Sequence, residues 1–210
     1  VADVATTSPI FFRNEPVGST STIVANIFFE NGIRPSKKTA GLLAGAIISD
    51  TLLFKSPTST NVDKLTLERL AQIADIDVEE FALEMFKYGT SLAGKTPEEI
   101  LKQDFKIFTY DSSRIGVSQV YTMDAESLND LKGDIIEAME EMTSDFGFSL
   151  QVLIVTDIYK EGSELIVVGK QKDIINKAFG VNMKENSVYI PGILSRKKQV
   201  IPPISSVINR

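Results

Sequence analysis

The sequence predicts an α/β protein: a run of helices followed by an α/β domain on a mixed β-sheet. Three observations lead there. Up to Gly89, apolar residues recur at helical spacing between Ser/Thr starts and Gly stops. Beyond Thr96, two nearly continuous apolar runs, LQVLIVTDI and ELIVVGK, flank the turn KEGS, as buried paired strands do. Between Gly89 and Lys95 the small, polar stretch TSLAGK marks a domain boundary, because chains cross between domains in segments of that composition.

Taken in order, the opening VADVATTSPIFF is extended in character and is expected to hold a strand. GSTSTIVANIFFENG is a helix with Ser/Thr at its start and Gly32 as its stop. Pro35-Ser36 opens a second helix through Ala46 toward Asp50. It is apolar nearly all round and so expected to be buried, with Gly41 and Gly45 admitting a close backbone. TNVDKLTLERLAQIADI is a third helix. DVEEFALEMFKYG is a fourth, with Asp77 as cap, Glu80 completing a capping box and Gly89 as stop. Thr96-Pro97-Glu98-Glu99 is a strong helix start with Pro in the first turn. FKIFTY and RIGVSQVY form a hairpin about an Asp-Ser-Ser turn, and SLNDLKGDIIEAMEEM is a long helix. KDIINKAFG is a short helix, and SVYIPGIL and QVIPPI read as the last strands.

Composition narrows the function classes. The chain has 210 residues, a formal net charge of -6, 43% hydrophobic and 24% charged residues, ordinary values for a globular protein with a real core. It has no cysteine and no histidine. Disulfides and thiolate metal sites are excluded, and so is the commonest general base. The longest apolar run, AGLLAGAIISDTLLF, carries Asp50 within it and falls short of the roughly 20 residues a membrane span needs. The N-terminus has no signal-peptide pattern. It lacks an initiator Met, which suggests a processed or trimmed chain.

Four places hold candidate chemistry. Asp50 ends an apolar helix in IISDTLLFKSPTST, where a lone carboxylate must be paired, capped or bound to a cation. It is a metal ligand or a cap for the SPTST loop; the local sequence favours the cap. SRKKQ places Arg196, Lys197 and Lys198 side by side in an acidic chain. Adjacent cations repel, so the cluster needs an anion or open solvent, and Arg offers a planar fork for phosphate oxygens. A duplex-binding surface needs a wider basic face, so no nucleic acid is expected. Gly18-Ser19-Thr20-Ser21-Thr22 lies at a helix start that could hold an anion; without a P-loop's Lys and spacing, capping is the better reading. Lys106 in QDFKIF looks locally like any strand-edge lysine.

The segments EPVGSTST, AIISDTLLFKSPT and SRKKQV, in that order and at these separations, resemble the family II inorganic pyrophosphatases of the D-H-H phosphoesterase superfamily. The resemblance covers essentially the whole chain. It implies residues 1–91 as the helical C-terminal remainder of the D-H-H domain and residues 92–210 as the smaller, substrate-binding α/β domain on a mixed β-sheet, with the active site between the domains. It implies hydrolysis of pyrophosphate to two phosphates with a divalent metal cluster, Mn2+ (or Co2+) with Mg2+ also used. Asp50 matches the family's metal-ligating aspartate, reversing the local preference. Lys106, Arg196 and Lys197 match its substrate-phosphate ligands, while Lys198 and Gln199 complete the motif without an assigned contact. A cytoplasmic homodimer with no membrane partner is implied for the intact enzyme.

The departures matter equally. The family's metal motifs need histidine, and this chain has none. One carboxylate cannot hold a divalent metal that wants about five or six ligands. The chain alone is therefore expected to be an incomplete, inactive part of the enzyme, with no complete catalytic set of its own, and a separate N-terminal piece is a candidate partner. Two rival readings are an exopolyphosphatase of the same superfamily and a non-catalytic phosphate-binding or regulatory module.

Overall fold

The computed structural model describes residues 5–92, 94–110 and 113–209, apart from the side chains of Glu126 and Ser127. The chain forms two compact units: residues 1–54 with 58–78, and residues 55–57 with 79–210.

The first unit is helical. α1 spans Thr20–Glu30, with the Ser19 side chain accepting from Ser21 N–H. α2 spans Lys37–Thr51 under a Ser36 cap. α3 spans Asn61–Ala74 and opens on a capping box between Thr60 and Asp63. These starts are where Ser and Thr belong, since a side-chain oxygen satisfies an orphan amide. The core is built from Ala25, Ala40, Ala44, Ile47, Ile48, Leu67 and Leu70, all essentially closed to solvent. Small residues on α2 bring its neighbours close; a Cβ on Gly41 would meet the Ala74 Cβ at 3.9 Å, a side-chain contact rather than the backbone approach expected there. α2 is buried on one face only, because Leu42 is 73% exposed. The opening segment forms no strand among its described residues, and Ile10, Phe11 and Phe12 stand exposed; a strand needs a ladder partner, and none is described beside this one. α2 ends with Leu52, Leu53 and Phe54 in succession at φ of 49°, 49° and 65°, one left-handed turn that L-residues adopt only under constraint.

The second unit begins its run of elements with α4, Val78–Gly89, and α5, Pro97–Lys102, whose Thr96–Glu99 capping box is complete. Five strands follow: β1 Lys106–Tyr110, β2 Ser113–Thr122, β3 Leu150–Asp157, β4 Gly162–Val168 and β5 Ser187–Pro191. They form one sheet in sequence order. β2 and β3 are parallel and the other pairs antiparallel, so the sheet is mixed as expected. A 3-10 turn, Ala125–Leu131, and α6, Lys132–Phe146, make the crossover that a parallel pair requires. The tip of the β1–β2 hairpin, Asp111-Ser112, lies outside the described residues.

Every residue of β3 is buried, because both faces of the sheet are covered. Val120, Leu153, Val155 and Ile166 pack with Ile100, Ile135 and Met139 on one side. Val117, Val152, Ile154, Leu165 and Val167 pack on the other with Ile175, Val200 and Ile204, from α7, Asp173–Phe179, and α8, Ile201–Ile208. Gly169 closes β4 at φ +110°, and a Cβ there would lie 2.6 Å from the Ser149 carbonyl oxygen.

The QVIPPI segment corrects the sequence reading. Instead of a strand it is a π-helical turn, Arg196–Val200, running into α8 with Pro in its first turn. Proline lacks the N–H that a first helical turn leaves unused, so the cue taken for a strand edge is equally a helix start. Among the described residues, no helix is long and apolar enough to cross a membrane.

Candidate functional site

The π-turn presents the cationic run. Ser195 accepts from Lys198 N–H at its start. Gln199 folds back so that its Oε1 accepts from Leu194 and Ser195 N–H, each at 3.0 Å, while its Nε2 donates to the Gly192 carbonyl at 2.7 Å. From β2, Gln119 accepts Arg196 N–H at 3.4 Å and donates to Thr156 and to the Leu194 carbonyl. The turn is thus fixed from inside by one glutamine and from the sheet by another.

Arg196 is turned inward and the lysines outward. The Arg196 side chain is only 7% exposed, and its Nη2 meets both Asp104 carboxylate oxygens, at 2.9 and 3.0 Å. Its Nη1 donates to the Asp104 carbonyl oxygen. Lys106, at the first position of β1, places Nζ 4.0 Å from the same carboxylate with its side chain 60% exposed. Lys197 and Lys198 are exposed, and Lys198 Nζ donates to the Pro57 carbonyl at 3.1 Å. Tyr121 lies on the same face of β2 as Gln119, two residues on. Burial pushes its hydroxyl pKa up, Asp104 adds to the rise, and Arg196 pulls it back. Two cations, Arg196 and Lys106, therefore share one carboxylate, and Lys197 and Lys198 stand exposed beside Arg196 in the chain, which leaves a net positive turn suited to an anion of several oxygens.

Sequence reasoning named Arg196, Lys197 and Lys198 as a cationic run and Lys106 only through the family resemblance, and the structure brings Lys106 and Arg196 together on Asp104. It missed Asp104, which sits 92 residues from its arginine, and Gln119, which reads as one polar residue in a strand. Nothing local marks either.

Asp50 lies in the first unit. It is exposed at the end of α2, and its Oδ2 accepts from the Ser19 hydroxyl at 2.6 Å. The fully buried carboxylate nearby is Asp63, which sequence reading also missed. It accepts from Gly18 N–H at 2.8 Å, Ser19 N–H at 3.2 Å, the Thr22 hydroxyl at 2.6 Å, and Thr60 through both amide and hydroxyl. The helix end considered as an anion site is therefore occupied by the chain's own Asp63. Among the described residues, no group of three or more His, Cys, Asp or Glu could hold a metal ion. The donors present do not fit a divalent transition metal, which wants more ligands than Asp50 alone can give.

A sequence model of the DHHA2 domain matches residues 83–207. The "Probable manganese-dependent inorganic pyrophosphatase" of Clostridium acetobutylicum is 57% identical over 99% of this chain and 67% of its own length. The cobalt-dependent inorganic pyrophosphatase of Clostridium perfringens is 54% identical over 99% of this chain, which spans 38% of that protein. The manganese-dependent inorganic pyrophosphatase of Methanocaldococcus jannaschii is 43% identical over 98% of this chain and 70% of its own length. The solved structure described as "Crystal structure of Methanococcus jannaschii putative family II inorganic pyrophosphatase" superposes with a TM-score of 0.86, at 42% identity over 99% of this chain and 70% of that one. The sequence segments, the five-stranded mixed sheet and these similarities lead to one conclusion: the chain belongs to the family II, manganese-dependent inorganic pyrophosphatases and corresponds to their C-terminal part.

Proposed function

We propose that this chain is the substrate-binding part of an enzyme that hydrolyses pyrophosphate to two phosphates with manganese or cobalt, magnesium also serving. Residues 1–91 act as the remainder of the D-H-H domain and residues 92–210 bind substrate. Lys106, Arg196 and Lys197 neutralise phosphoryl oxygens, Arg196 through the edge of its guanidinium that Asp104 leaves open and the lysines as point charges. Asp50 contributes one metal ligand, and the other ligands come from protein outside residues 1–210. The enzyme works as a cytoplasmic homodimer. The observation that carries the reading is that Arg196, from the π-turn, and Lys106, from the start of β1, meet on Asp104.

Two assays test it. The purified 210-residue chain with millimolar manganese is expected to show no turnover; a rate of about 1 per second or more would sink that expectation. In the protein made from the complete gene, Arg196→Lys keeps the charge and loses the directed guanidinium N–H groups. It is expected to lower kcat/KM about ten- to a hundredfold with metal affinity unchanged. Asp50→Asn is expected to weaken metal binding first, with added manganese restoring part of the rate. Full activity in Arg196→Lys, or the same metal-rescuable loss in both variants, contradicts the assignment.

A further inference from the structure

Arg196 is almost wholly buried, while Asp104, which holds it, is half exposed. One residue grips one guanidinium by two chemically different groups: its carboxylate takes Nη2 and its carbonyl oxygen takes Nη1. Asp104 can offer both because its φ is +41°, in the left-handed region where Asp and Asn are among the better-tolerated non-glycine residues. The Nη end of the fork is thereby taken. The Nε edge has no acceptor among the described residues. The same carboxylate lies 4.0 Å from Lys106 Nζ, so it also sets the separation of the two cations.

We infer that Asp104 is a positioning residue for phosphate binding: it fixes the guanidinium of Arg196 with the Nε edge presented to a phosphoryl oxygen, and it spaces Lys106 alongside. The inference rests on the reading of Arg196 as a phosphate ligand. Its physical basis is preorganisation. A free arginine side chain samples many rotamers, and ordering it on binding opposes affinity; a side chain already held by a carboxylate has lost that freedom before the ligand arrives. Gln119 does the same for the backbone by accepting Arg196 N–H.

The test is a pyrophosphate titration of the 210-residue chain, followed by NMR of the arginine side-chain N–H groups. Wild type, Asp104→Asn, Arg196→Lys and the double variant are compared. Asn is chosen because it tolerates the left-handed φ and leaves the backbone in place. Asp104→Asn is expected to raise the pyrophosphate Kd about tenfold, and the double variant is expected to bind no worse than Arg196→Lys alone. Losses that add, or an Asp104→Asn chain that binds as tightly as wild type or tighter, would overturn the role. Wild type gives an independent answer should Asp104→Asn not fold. The Arg196 Nε–H signal is expected to move with pyrophosphate while the Nη2 hydrogens keep separate signals. Merging of the Nη2 signals at saturation would mean that pyrophosphate displaces Asp104, which also overturns it. Lys106→Ala and Lys197→Ala separate the two levels. Weakened binding in both beside an unchanged Asp104→Asn removes the positioning role alone. Unchanged binding in both and in Arg196→Lys removes the phosphate reading, and this inference with it.

Discussion

Asp63, closed to solvent, accepts from Gly18 and Thr22 at the start of α1 and from Thr60 at the start of its own helix, and so ties the start of α1 to the start of α3. Burial alone would raise its pKa; the bonds from the Thr22 and Thr60 hydroxyls and from the Gly18 and Thr60 amides outweigh it and hold the carboxyl below its usual value. A depressed folded pKa means that the contribution is complete above the unfolded value, about 3.9, and is lost as pH falls through the lower folded value. Asp63→Asn is therefore expected to destabilise the first unit by about 2–3 kcal/mol at neutral pH, with the gap to wild type closing below about pH 4. Urea titrations at several pH values check it; a gap that stays constant down to pH 2 contradicts the account. Gly18 belongs to this cluster, since a Cβ there would sit 2.9 Å from Thr51 Cγ2 and 3.0 Å from Asp63 Oδ2. The sequence shows Thr60-x-x-Asp63 as a capping signature, but not that the same carboxylate serves a second helix 41 to 45 residues away. Asp104 and Arg196 were illegible as a pair for the same reason: ion pairs across the chain leave no periodic mark.

Helices with side-chain caps were readable because a cap is local chemistry. Thr96 with Glu99 is both a pattern in the sequence and a pair of hydrogen bonds in the fold. The paired strands β3 and β4 were readable because burial on both faces demands unbroken apolar runs. The last segment was not, since two prolines among apolar residues fit either a sheet edge or a first helical turn, and five or six residues are too few for periodicity to decide. At β4 the strand ends on a feature that no residue but glycine fits. Gly169 combines φ +110° with a backbone carbonyl 2.6 Å from any added Cβ, and neither can yield without moving the start of β3. Gly169→Ala is expected to cost about 3 kcal/mol or more, read as a lowered thermal midpoint of the second unit. A loss under about 1 kcal/mol would show that the sheet end relaxes freely.

At the scale of the molecule, the second unit contains a complete sheet, both of its covering layers and its own crossover. Residues 79–210 are expected to fold alone and give a dispersed amide spectrum. Starting instead at Lys95 removes Leu92, which is 4% exposed in the cluster with Ile100 and Leu101, and is expected to lower stability by at least about 2 kcal/mol. Equal urea midpoints for the two lengths would show that Leu92 contributes little. The α/β fold class was legible because the first part shows only helical spacing, while the second alternates helical spacing with the unbroken apolar runs of buried strands. The metal chemistry was legible only through family resemblance, because the single candidate ligand, Asp50, has no companion in the sequence around it.

The wide turn at Arg196–Val200 has a last consequence. Ile201 N–H donates back to the Arg196 carbonyl, five residues rather than four, so the turn holds one residue more than an α-helix would. Deleting a single residue between Lys198 and Val200 would let the segment wind as ordinary helix and swing Arg196 by about 100° relative to α8, away from Asp104. The cationic turn thus depends on chain length as well as on side-chain identity. Among related sequences, one-residue gaps at this point should be rarer than substitutions of Lys198.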